Sequence, residues 1–155
     1  MLDAISGGIS QPGSEHGVNL PSGGEYPAVL EVLVVDDEPL IRWSLGRGLS
    51  RRGHHVAQAG SRAEAIQQLE SSLARFDVVV LDYRLPDVQT LALLREIRQM
   101  APASAILMMT AHGDAQMREE ALALGARVVI DKPFQVSDVV SLVESPPPTH
   151  RLSHV

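Results

Sequence analysis

Short apolar runs alternate with amphipathic segments five times along this chain, and that alternation narrows the fold more than any other feature. Leu30 to Val35, Asp77 to Leu81 and Ala105 to Met109 are the strongest runs; Val56 to Ala59 and Val128 to Ile130 are shorter. Runs this apolar suit strands covered on both faces, as in a parallel sheet. The segments between them read as helices. Pro39 to Ser50 opens with a proline suited to a first helical turn, and Gly53 follows its end. Ser61 with Glu64 three residues on forms a capping box. Leu91 to Met100 places Leu91, Leu94 and Ile97 on one stripe, with Leu93 beside it. Asp114 caps a helix that runs through Leu124 and closes at Gly125, and Ser137 starts the last one. Such an order predicts an α/β fold, a parallel sheet between helix layers joined by right-handed crossovers. In open sheets of this sort the binding crevice lies beyond the carboxyl ends of the strands.

The chain has 155 residues, enough for one domain, which the pattern places at residues 28–145. Residues 1–27, rich in Gly, Ser and Pro, are expected to form a flexible extension, because they cannot bury enough apolar surface to offset chain entropy. Residues 146–155 open on Pro146-Pro147-Pro148 and are expected to form a flexible tail. A net charge of −6 argues against direct contact with nucleic acid. The absence of cysteine removes disulfides, thiolate metal sites and a cysteine nucleophile. No stretch approaches the roughly 18 consecutive apolar residues of a membrane span, and the first residues lack the basic head and apolar run of a signal peptide. A cytoplasmic protein without membrane contact is the expectation.

The polar residues at the strand ends say where the chemistry is. The first strand runs into Asp36-Asp37 and Glu38, the third into Asp82, the fourth into Thr110, and the fifth is followed by Lys132-Pro133. Taken singly these are ordinary: an aspartate at a strand end is a cap or turn residue more often than a ligand. Together, at four ends of one sheet, they form a constellation. Three converging carboxylates would repel one another, and their pKa values would rise. A hard divalent cation relieves that repulsion, and Mg²⁺ prefers oxygen ligands while keeping several waters. A lysine and a threonine beside such a cluster complete a receptor for a phosphoryl group.

The stretches VLVVDDEP, VVVLDYRLPD, AILMMTAHGD and GARVVIDKPF, in this order, resemble the receiver domain of two-component response regulators. The likeness spans roughly residues 29–145, and Asp37 to Trp43 with the TAHGD segment is most similar to the nitrogen-regulatory class. It implies a flavodoxin-like (βα)5 fold, strand order 2-1-3-4-5, with helices on both faces of the sheet. It also implies a phosphorelay role, with Asp82 taking phosphate from a sensor histidine kinase or histidine phosphotransfer protein. Asp37, Asp82 and the backbone carbonyl of Arg84 would bind Mg²⁺, with Asp36 acting through a metal-bound water. Thr110 would hydrogen-bond the phosphoryl oxygen, Lys132 would pair with it, and Pro133 would follow a peptide bond that is commonly cis in the family.

Two positions depart from the family pattern. Val129 stands where the family usually has an aromatic switch residue, and Thr90 where it usually has a glycine. If that position needs a positive φ, threonine strains the loop after Asp82. Arg84, two residues past the acceptor, is expected to shield an acyl phosphate from water. The fourth helix, fifth strand and fifth helix would form the output face, with Met117, Arg118, Ala121 and the helix from Ser137 to Glu144. That face could dock an unidentified downstream protein or a second copy as a phosphorylation-dependent dimer.

Other functions fit less well. A phosphatase of the haloacid-dehalogenase type puts its nucleophile on the first strand in a D-x-D motif, whereas here Asp82-Tyr83-Arg84 lacks the second acid. A pseudo-receiver that signals without phosphate draws support from Val129 and Thr90. With no DNA-binding or ATPase segment after residue 145, the chain reads as a single-domain receiver. It would act by protein contact, catalysing its own phosphotransfer and autodephosphorylation and no other turnover.

Overall fold

The computed structural model describes residues 28–71 and 75–145. Five strands, β1 (Glu31–Val35), β2 (His55–Ala59), β3 (Val78–Asp82), β4 (Ala105–Thr110) and β5 (Ala126–Asp131), alternate with five helices. The helices are α1 (Pro39–Arg51), α2 (Arg62–Ser71), α3 (Thr90–Met100), α4 (Ala115–Ala123) and α5 (Val136–Glu144). The strands pair in parallel in the order 2-1-3-4-5, as expected. The extension and tail expected at residues 1–27 and 146–155 lie outside the described residues.

Alternate side chains of each central strand enter one of two cores. Leu33 and Val35 of β1, Val79 and Leu81 of β3, and Ile106 and Met108 of β4 meet α2, α3 and α4 through Ala65, Leu93, Leu94, Ile97 and Ala121. Val32, Val34, Val78, Val80, Leu107 and Met109 face the other way, onto α1 and α5 through Leu45, Leu49, Val139, Val140 and Val143. Each fully buried leucine or valine contributes about 1.5–3 kcal/mol of transfer free energy. That stabilisation is what holds the acidic rim in place. On the α1–α5 side the helices approach closely: a Cβ on Gly48 would lie 2.5 Å from Val136 Cγ1.

Local signals start and stop the helices much as the sequence predicts. The Ser61 hydroxyl accepts from the Glu64 N–H at 3.1 Å, and Asp114 Oδ1 accepts from the Met117 N–H at 2.7 Å. Gly125 closes α4 at φ +108°, which its lack of a Cβ permits. The loop after β3 has a shape that does not need a glycine at Thr90. The backbone already enters α3 there, and no described residue other than glycine has a positive φ. What fixes the loop is Asp87, whose carboxylate accepts from the N–H groups of Arg62 (2.8 Å) and Ala63 (3.1 Å) at the start of α2.

The output face differs from the expectation in one respect. Met117 is 7% exposed and Ala121 is fully buried, so both point into the core instead of lining that face. Leu122 is the large apolar side chain that α4 exposes, and Arg118 is ion-paired with Asp131 of β5.

Candidate functional site

The parallel topology carries the carboxyl ends of β1, β3, β4 and β5 to one rim, and the predicted polar residues meet there. Asp36 follows β1, Asp82 and Thr110 are the last residues of β3 and β4, and Lys132 follows β5. Asp36, Asp37 and Asp82 each offer a carboxylate oxygen, and the three oxygens lie within 4.8 Å of one another. Asp36 is fully buried and Asp82 nearly so, whereas Asp37 is exposed. Lys132, its side chain 12% exposed, sits across the group: its Nζ is 2.8 Å from Asp36 Oδ2 and 3.1 Å from Asp82 Oδ1. Glu38 Oε1 lies further off at 3.4 Å.

The electrostatics of the cluster are unbalanced toward negative charge. Burial pushes the Asp82 carboxyl up from 3.8 to about 6; the neighbouring Asp36 charge adds to this, and Lys132 only partly offsets it. Burial also raises Asp36, against its hydrogen bonds from Lys132 and from the Glu38 N–H (2.9 Å). Lys132 is held above its ordinary value: burial would lower it, but the Asp36 hydrogen bond and the two carboxylate charges outweigh that. One ammonium therefore does not satisfy this set of carboxylates. An additional divalent cation fits the site, because the donors are all hard oxygens and the exposed Asp37 side leaves room for retained water.

Thr110 is 2% exposed, and its hydroxyl accepts the His112 N–H at 3.2 Å, which leaves the hydroxyl's own proton free to donate. The Lys132–Pro133 peptide is cis. The Arg84 side chain is exposed, and Val129 is half-buried against the α2–α4 core. One residue that sequence reasoning missed is Arg42, whose Nη1 donates to the Asp36 backbone carbonyl at 2.6 Å. Its place on α1, one turn from the acid turn, was the only signal available.

Comparison with known proteins agrees with this geometry. Residues 32–144 match the family model described as the response regulator receiver domain. The DNA-binding transcriptional regulator NtrC of Escherichia coli K12 is 38% identical over 113 residues, which are 73% of this chain and 24% of that protein. The two-component response regulator PhoP of Pseudomonas aeruginosa is 36% identical over 110 residues, 71% of this chain and 48% of that protein. The chain thus spans about a quarter to a half of the length of these relatives. Among solved structures, a CheY-like receiver domain protein from Methanospirillum hungatei superposes with a TM-score of 0.70 at 25% identity, covering 76% of this chain and 92% of the other. A response regulator from Burkholderia pseudomallei, solved with a phosphorylated aspartic acid, calcium ion and citrate, gives a TM-score of 0.68 at 27% identity, covering 74% and 66%.

Proposed function

The chain belongs to the response regulator receiver family, and we propose that within it Asp82 accepts a phosphoryl group from a phosphohistidine donor. The observation that carries this reading is the bridging of the buried Asp36 and Asp82 by one lysine, in a cluster that still has excess negative charge. The phosphorylated aspartate and divalent ion of the Burkholderia structure support it.

The chain's own residues divide the work. An Asp82 carboxylate oxygen attacks phosphorus; the O–P bond forms as the donor's P–N bond breaks. The imidazole leaves with that electron pair and takes up a proton from solvent. Lys132, already 3.1 Å from the carboxylate, pairs with the charge on the transferred oxygens. Thr110 donates its hydroxyl proton to one of those oxygens. Asp37, Asp82 and the Arg84 carbonyl, with Asp36 behind them, would hold Mg²⁺, which when bound supplies neutralisation of the incoming phosphate charge.

The output in this reading is contact between the phosphorylated domain and a further protein surface or a second copy. Among the described residues no helix is long and apolar enough to cross a membrane, and a cytoplasmic kinase or phosphotransfer protein is the partner we infer. The chain modifies itself and does not turn over a substrate pool.

Incubation with acetyl phosphate and Mg²⁺ tests the proposal. Mass spectrometry should find one added phosphoryl group on Asp82, absent with chelator and absent in Asp82→Asn, with no steady hydrolysis of a generic phosphomonoester. An unlabelled native chain would favour a receiver fold that signals without phosphate, and sustained turnover would favour a phosphatase. Once labelled, the native protein should hold its phosphate several-fold longer than Arg84→Ala, because the exposed arginine shields the acyl phosphate from water. An equal or longer lifetime in the variant removes that role from Arg84.

A further inference from the structure

We infer that Arg42 is a positioning residue for the acid pair, setting the direction of Asp37 and through it the affinity of the rim for Mg²⁺. The inference rests on the reading that the rim holds that ion.

The two acids of the first turn are anchored differently. The Asp36 side chain is fixed twice, by Lys132 Nζ and by the Glu38 N–H, and its own N–H donates to the Ala59 carbonyl at 3.0 Å. The exposed Asp37 carboxylate has no hydrogen-bond partner among the described residues. Its direction therefore follows from its backbone. The Asp36 carbonyl belongs to the peptide unit that joins the two acids, and the plane of that unit governs where the Asp37 side chain leaves the chain. Arg42 Nη1 holds this carbonyl at 2.6 Å, and a guanidinium is a rigid donor that fixes an angle as well as a distance.

Gly60, in the turn between β2 and α2, makes room for the guanidinium. A Cβ there would stand 2.9 Å from Arg42 Nη1, 3.3 Å from Glu64 Oε2 and 3.4 Å from Arg42 Cζ. The arginine thus sits in a slot walled by a second segment, and that slot can be closed without substituting either the arginine or the acids of the rim. Gly60 has no positive φ, so alanine there keeps the turn's backbone conformation while crowding the guanidinium and the Glu64 carboxylate that accepts the Gly60 N–H.

Calorimetric titration of Mg²⁺ into the full chain tests this, with denaturant unfolding in chelator measured separately. Arg42→Met should weaken Mg²⁺ binding roughly tenfold or more, the range for groups that orient metal ligands from behind. Gly60→Ala should move the affinity in the same direction, and Arg42→Lys should recover part of the loss. The double variant should bind no more weakly than Arg42→Met alone, since both changes act through one contact. A merely structural arginine would lower the unfolding free energy and leave the Mg²⁺ affinity in place. Folded Arg42→Met and Gly60→Ala proteins that bind Mg²⁺ as tightly as the native chain overturn the inference; if Arg42→Met does not fold, Gly60→Ala decides alone. A native chain that fails to bind Mg²⁺ refutes the reading beneath it as well.

Discussion

At neutral pH and without metal, the Asp82→Asn protein should be more stable than the native chain by about 2–3 kcal/mol. The acceptor carboxylate is a strained group in the empty rim. Burial is the main cause of its elevation to about 6, and the Asp36 charge adds to it. Because the folded state holds this proton more tightly than the unfolded chain does, the carboxyl favours folding below its ordinary value of 3.8. That contribution is lost as pH rises through about 6. Asparagine keeps the shape and removes the charge, while Lys132 retains Asp36 at 2.8 Å. Denaturant unfolding in chelator should therefore show the variant ahead at neutral pH, with the gap closing as acid protonates the native carboxyl. Added Mg²⁺ should narrow or reverse the order, since it stabilises by mass action the protein that binds it better. A variant less stable than the native chain at neutral pH would mean that Lys132 outweighs burial at Asp82.

The strained carboxylate was legible in the sequence because three independent rules pointed to it. The apolar runs of β1, β3 and β4 marked strands covered on both faces, the alternation made the sheet parallel, and a parallel sheet gathers its carboxyl ends. Asp36, Asp82, Thr110 and Lys132 followed from that without any knowledge of side-chain contacts. Less was legible where tertiary contacts override local pattern. β2 begins at the polar His55, since an edge strand needs only one apolar partner face, and β5 begins at Ala126 although Arg127 interrupts its apolar run. The start of α5 at Val136 is set by packing on Gly48 of α1, because Gln135 makes no side-chain cap. Helix α4, with Ala115 to Ala123 nearly evenly mixed, gave no stripe to say that Met117 and Ala121 face inward. Asp87 and Arg42 act on backbone groups outside their own segments, 25 and 6 residues away, and such side-chain-to-backbone bonds have no periodic signature.

Removing the lysine that bridges the two buried acids should have the opposite sign and a larger size. Lys132→Met is expected to destabilise the metal-free protein by about 3–5 kcal/mol at neutral pH, because breaking a buried pair strands its partners. Here two partners are stranded: Asp36, fully buried, and Asp82, 7% exposed on its side chain. Lys132 itself is held above its ordinary value of 10.5, so its stabilisation is fully present across the neutral range and is lost only in strong alkali. The deficit of the variant should shrink on acidification, as the two carboxyls take up protons and no longer need a counter-charge. It should also shrink in the Asp82→Asn/Lys132→Met double variant, which removes one of the stranded charges; the cycle between the two sites then measures their coupling directly. Labelling by acetyl phosphate should fall with the stability in Mg²⁺, since the same ammonium faces the transferred oxygens. If labelling is lost while unfolding in chelator is unchanged, the ammonium's desolvation cancels its attraction in the resting rim, and Lys132 serves the phosphoryl group alone.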